Sequence, residues 1–140
     1  MNETTLAAAL AADLAAEAST AGLTIVGLGT EGALAKPGAV CSFEGFNEDL
    51  VLLGSYVGQI IVRLYTLPAD TTAAEHIAFA DAILAHITSR TFINALSADY
   101  SVPASSDGSD LWAPKRDTPA TDGAERETAI SVSASIVQLA

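Results

Sequence analysis

Between Gln59 and Ile87 the hydrophobic period of the chain changes once, and that change narrows the folds open to it. In "GQIIVRLYTL" Ile60, Val62 and Leu64 point one way, while Gln59, Ile61, Arg63 and Tyr65 point the other. A period of two belongs to a strand. Apolar side chains on both of its faces suit a strand in the middle of a sheet. Pro68-Ala69-Asp70 then turns the chain, and Thr72-Ala73-Ala74-Glu75 spells a capping box. In such a box the Thr and Glu side chains each satisfy a backbone N–H that a first helical turn leaves orphaned. Beyond it Ile77, Ala80, Leu84 and Ile87 recur at helical spacing with Ile83 beside them, so a helix is expected to about His86 or Ile87. Glu75 and Asp81 belong to its wet side.

The flanks extend this strand–turn–helix unit. Residues 4–21 are rich in Ala and Leu, the strongest helix formers, and Leu6, Leu10 and Leu14 mark one face. Thr4 or Thr5 is the expected cap, and Gly22 suits the C-terminal position that wants positive φ. Short strands are expected at 23–28 and 39–44, and the strongest strand signal runs over 50–67, where Gly54 and Gly58 suggest a bend or bulge. A further helical turn is expected within 91–97. Residues 98–127 hold three prolines and two Asp-Gly steps with almost no periodicity, the composition of a long loop or arm. The pattern returns in "TAISVSASIVQ", where Ile130, Val132, Ala134 and Ile136 alternate with Ser131, Ser133 and Ser135. The expected fold class is α+β: a mostly antiparallel sheet of about four strands, packed by an N-terminal and a central helix, with a long loop before the last strand. At 140 residues this is a single domain over 1–140.

One motif argues for a different chemistry. After Leu23–Val26 comes Gly27-Leu28-Gly29-Thr30-Glu31-Gly32, a literal G-x-G-x-x-G. A working dinucleotide turn opens directly into a helix whose N-terminal N–H groups hold the pyrophosphate. Here Ala33-Leu34-Ala35-Lys36 is followed by Pro37-Gly38, which leaves room for about one turn. The glycines Gly27, Gly29 and Gly32 are better read as a pliable connection between strands, able to adapt to a neighbouring chain.

Charge limits the partners. With 17 Asp and Glu against six Lys and Arg, the formal net charge is −11. Specific binding of nucleic acid or of an anionic membrane needs clustered cations, and the only adjacent pair is Lys115-Arg116. The opening "MNETTLAAAL" lacks the basic start of a secretory signal, and Asp13 and Glu17 interrupt the first apolar run, so a soluble chain made in a cytoplasm is expected.

Catalytic signals are weak. Cys41 is the single cysteine and lies near Glu44, Glu48 and Asp49, which oppose a thiolate. His76 and His86 are roughly 15 Å apart along one helix, too far to share a metal, and are expected to be exposed or capping residues. "LLGSYVGQ" is not a nucleophile elbow. No catalytic residue, cofactor or metal is expected. The most unusual surface candidate is "DLWAPKRD", where Trp112, Pro114, Lys115 and Arg116 combine side chains favoured at interfaces. The alternative for Trp112 is that it pins the loop to its own domain.

Three segments, "LAAALAADLAAEA", "VGQIIVRLYTLPADTTAAEHIAFADAILAHI" and "ETAISVSASIV", together resemble in element order the tail terminator (tail completion, head-tail joining) proteins of tailed bacteriophages. The resemblance implies a structural virion protein of the tail or neck, assembled in the host cytoplasm and forming a six-membered ring. That ring would cap the tail tube, stop its growth and join the head connector. An acidic lumen would let DNA pass without binding it. The competing expectations are a small-ligand-binding or regulatory α+β domain, which needs an apolar pocket with a few convergent polar groups, and a nucleotide-dependent enzyme.

Overall fold

The computed structural model describes residues 2–29, 34–48, 54–96, 100–101, 111–122 and 124–138. Helix α1 spans Glu3–Ala15. Its cap is Asn2 rather than Thr4 or Thr5: the Asn2 side chain accepts the Thr5 N–H at 3.0 Å. The helix stops six residues short of expectation because Thr20 folds back and its hydroxyl donates to the Leu14 carbonyl at 2.5 Å, after a short 3-10 turn over Ala18–Thr20. Gly22 does take a positive φ of 96°, beyond that turn rather than at the helix end.

Next come β1 (Thr24–Gly27), β2 (Gly38–Glu48) and β3 (Ser55–Thr66). The helices α2 (Ala73–Ile87) and α3 (Arg90–Leu96) follow. The chain then forms β4 (Tyr100–Ser101), β5 (Leu111–Arg116), β6 (Ala120–Asp122) and β7 (Glu125–Gln138). The class is α+β with a mixed sheet. β1 runs parallel to β2, and the remaining pairs are antiparallel. The order is β1-β2-β3-β7, and β4, β5 and β6 all pair with the far side of β7. The sheet is thus larger than the four strands expected. The 98–127 region is not simply a loop, since β5 and β6 lie within it and pair with β7.

All three helices share one core with one face of the sheet. Leu6, Leu10 and Leu14 of α1 meet Ala39, Cys41 and Phe43 of β2, Ile60, Val62 and Leu64 of β3, and the alternating apolar residues of β7. Burying a Leu in full contributes about 1.5–3 kcal/mol, so the α1 stripe alone anchors that helix. The capping box of α2 forms as expected, with both reciprocal bonds present. Its buried stripe is rotated by one residue: His76, Ala80, Ile83 and Ile87 face inward, while Ile77 is 37% exposed. His76 is therefore a core residue, not an exposed one. Its ring lies between two threonine hydroxyls, Thr66 on β3 and Thr128 on β7, each at 2.7 Å. A neutral imidazole satisfies both, accepting from one hydroxyl and donating to the other.

Two glycines permit close packing. A Cβ on Gly27 would lie 2.9 Å from the Ala8 backbone nitrogen, so its absence lets α1 rest directly on β1. A Cβ on Gly58 would strike Phe46, whose ring covers that gap in β3. The bend expected near Gly54 is present, with φ +80°. Among the described residues no helix is long and apolar enough to cross a membrane.

Candidate functional site

The glycine motif does not form a phosphate cradle in its described part. Gly27 is buried beneath α1, so it is a packing residue rather than a surface contact. Gly29 is exposed with φ +97° and lies near Thr4. Gly32 lies outside the described residues. Residues 34–37 are not helical, and Lys36, the cation nearest the motif, forms an ion pair with Glu125 of β7. A cleft of about 80 Å³ between Glu3, Thr4, Ala7, Leu28, Ser42 and Phe43 adjoins this stretch. That is small against the 300–1,000 Å³ of ordinary ligand pockets.

A larger feature lies on the other side of the sheet. The helices cover only the face that carries Ile60, Val62 and Ile130, and among the described residues no helix lies on the opposite face. Residues paired across antiparallel strands point to the same side, so the register defines the rows of this open face. One row runs Glu44, Gln59, Ser133, Trp112, and the next runs Ser42, Ile61, Ser131, Lys115. At the usual spacing of strands, a row is roughly 14 Å long from β2 to β5. Trp112 and Lys115 thus stand at the margin of a platform of Ser, Gln and Ile side chains.

Both ends of the platform have defined electrostatics. On β2 and β3 the Arg63 guanidinium meets the Glu44 carboxylate at 2.8 Å, and the Ser42 hydroxyl donates to the same carboxylate at 2.6 Å. The Ser42 bond, then Arg63, hold Glu44 below the usual carboxylate range. Near the other end of β3, burial followed by the Glu127 charge pushes the Tyr65 phenol up. At the β5 margin Lys115 is 71% exposed and pairs loosely with Asp117 at 3.2 Å. An exposed pair of this kind contributes little, so the ammonium is available to another partner.

β5 is an edge strand with its own protection. Its register with β7 shifts between Trp112 and Lys115. Ala113 takes φ +52°, uncommon for a residue with a side chain, and Pro114 has no N–H to donate. A bulge, a proline and an exposed lysine are the devices that keep an edge from recruiting another strand. The four residues expected to act together are split by the pleat. Trp112 and Lys115 lie on the open face, whereas Arg116 turns to the helix side and binds Asp81 of α2 at 2.8 Å. Pro114 occupies the bulge between them.

Two contacts were not evident in the sequence. His86, near the end of α2, reaches Asp13 of α1 at 2.5 Å and lies against Phe92 of α3, joining three helices. The Arg116–Asp81 pair ties β5 to α2. Both join residues far apart in the chain, and no local spacing announces them. Cys41 is fully buried, and burial pushes its thiol up to about 12, which makes it inert at neutral pH. Among the described residues no group of three His, Cys, Asp or Glu side chains is placed to hold a metal ion.

No family model matches the chain, and no curated protein does. One solved structure aligns at a TM-score of 0.49 and 14% identity, over 94% of this chain and 89% of that one. A likeness at that level carries no argument about function.

Proposed function

We propose that the chain is a structural virion protein of a tailed phage, a tail terminator or neck subunit without enzymatic activity. Its copies form a homohexameric ring that caps the tail tube and joins it to the head connector, and DNA passes through without specific binding. Assembly takes place in the host cytoplasm and needs no membrane. The observation that supports this reading is the sheet face that no described helix covers, edged by an exposed tryptophan. A sheet face carrying Ile61, Val57 and Tyr65 gains by lying against another surface, and a ring neighbour supplies one. The net charge of −11 per copy suits a lumen that repels DNA.

The test is the mass of the purified protein by light scattering, with rings sought by electron microscopy, alone and with tail tubes. Rings, or capping of tube ends, support the reading. A protein that stays monomeric in both preparations and does not copurify with tubes or capsids overturns it.

A further inference from the structure

The open sheet face and the outer side of α2 lie on opposite sides of the same two-layer molecule, and they are complementary. Trp112 and Ile77 are two of the three large apolar side chains exposed among the described residues, and each is 37% exposed. Beside Trp112 stands Lys115, whose side chain is 71% exposed. One turn on from Ile77 stands Asp81, and α2 carries no Lys or Arg. Exposed Ala74 and Ala78 on that side of α2 leave room for a large side chain to approach. In a chain with net charge −11, two copies repel over most of their surface. Contact is favoured where a cation of one copy meets carboxylates of the next.

We infer that a second copy of this chain docks with the Ile77 side of its α2 against Trp112 and Lys115 on the open sheet face. The contact deepens, and rests on, the assembly reading above. It is head-to-tail: one copy contributes the sheet face and the next contributes the helix. Each copy keeps the other half of the contact free, so the same rotation repeats until it closes into a ring. Strand addition at the β5 edge is disfavoured by the Ala113–Pro114 bulge, so Trp112 and Lys115 are engaged through the face that carries them. Lys115 of one copy meets the Asp81 carboxylate of the next, which that copy's own Arg116 also holds.

Two variants test this at exposed positions, Trp112→Glu and Ile77→Lys, with circular dichroism and thermal melting to check that each folds as wild type does. Sedimentation velocity of the concentrated proteins is the readout. Each variant alone is expected to associate at least tenfold more weakly than wild type. An equimolar mixture is expected to form heteromers, because the intact face of one then meets the intact helix of the other. If both variants assemble as wild type does, the contact is wrong while the assembly reading stands. If Trp112→Glu alone blocks association and Ile77→Lys does not, the interface is two-fold or lies elsewhere, and the inference falls. A mixture with no heteromers, or a wild type that remains monomeric when concentrated, also overturns it. In the last case the assembly reading still faces its own test on tail tubes.

Discussion

His76 of α2 and Thr128 of β7 share a 2.7 Å hydrogen bond inside the core, 52 residues apart in sequence. With Thr66 on the other ring nitrogen, this bond ties α2 to the two central strands. Burial, and then the positive charges of Arg126 and Arg116, lower the pKa of His76 from its ordinary 6.5. Between 6.5 and the lowered folded value, the unfolded chain binds a proton that the native protein does not. Stability from this residue is therefore complete above 6.5 and falls with pH below it, by at most about 1.4 kcal/mol per pH unit. Denaturant unfolding across that window is expected to show a steeper acid loss in wild type than in His76→Gln. Equal slopes would mean that another group sets the acid limit.

Thr128→Val removes one partner from a buried ring nitrogen and leaves the rest of the site in place. An unsatisfied buried polar group costs about 1–3 kcal/mol. Urea midpoints are expected to fall accordingly, and a loss under about 0.5 kcal/mol would show that the bond carries little net stability.

Gly27 and Gly29 share a motif but not a role, and alanine separates them. At Gly27 the new methyl meets the backbone of Ala7 and Ala8, which cannot yield without lifting α1 from β1. A cost of about 1–3 kcal/mol is expected from such overpacking. At Gly29 only the positive φ is at stake, worth about 1 kcal/mol. The order of the two urea midpoints checks this, and a milder effect at Gly27 would sink the packing explanation.

Cys41 is a built-in reporter of opening. A thiol pushed up to about 12 and fully buried is expected to resist an aromatic disulfide reagent in the native state and to react promptly in denaturant. Rapid native labelling at neutral pH would show that β2 separates from α1 without global unfolding.

Salt is expected to strengthen association between copies. Raising ionic strength from about 0.1 M to about 1 M shortens the Debye length from about 10 Å to about 3 Å. That removes general repulsion between acidic copies faster than it weakens a close, apolar contact. Sedimentation at the two salt levels measures the effect, and weaker association at high salt would show that the Lys115 pairing outweighs the general repulsion.

The sequence discloses local relationships and hides distant ones. Thr72 and Glu75 reveal their capping box because the reciprocal bonds involve four consecutive residues. The β7 alternation is equally plain, since each Ser between apolar neighbours reports the pleat directly. His76 reads as a wet residue beside Ile77 because its partners, Thr66 and Thr128, come from strands elsewhere in the chain. β5 escapes notice for a different reason: Ala113 and Pro114 break the period of two, and its strand character comes from pairing with β7. The shortened α1 turns on Thr20 returning to Leu14, a contact that helix propensity does not register. Of the candidate surface, the unusual composition of "DLWAPKRD" is legible, but the division of Trp112 and Lys115 from Arg116 is decided by register alone.

The interrupted edge at Ala113–Pro114 has a consequence for copy number. Growth by strand addition has no stopping point, because every recruited chain offers a fresh edge equal to the one it covered, and the final size follows supply. With that edge disabled, copies that meet through the faces are not extended on the β5 side, and their number there is set by the angle at which the faces meet. Among the described residues β1 pairs only with β2, so it is on that side of the sheet that an edge stays open to a further strand.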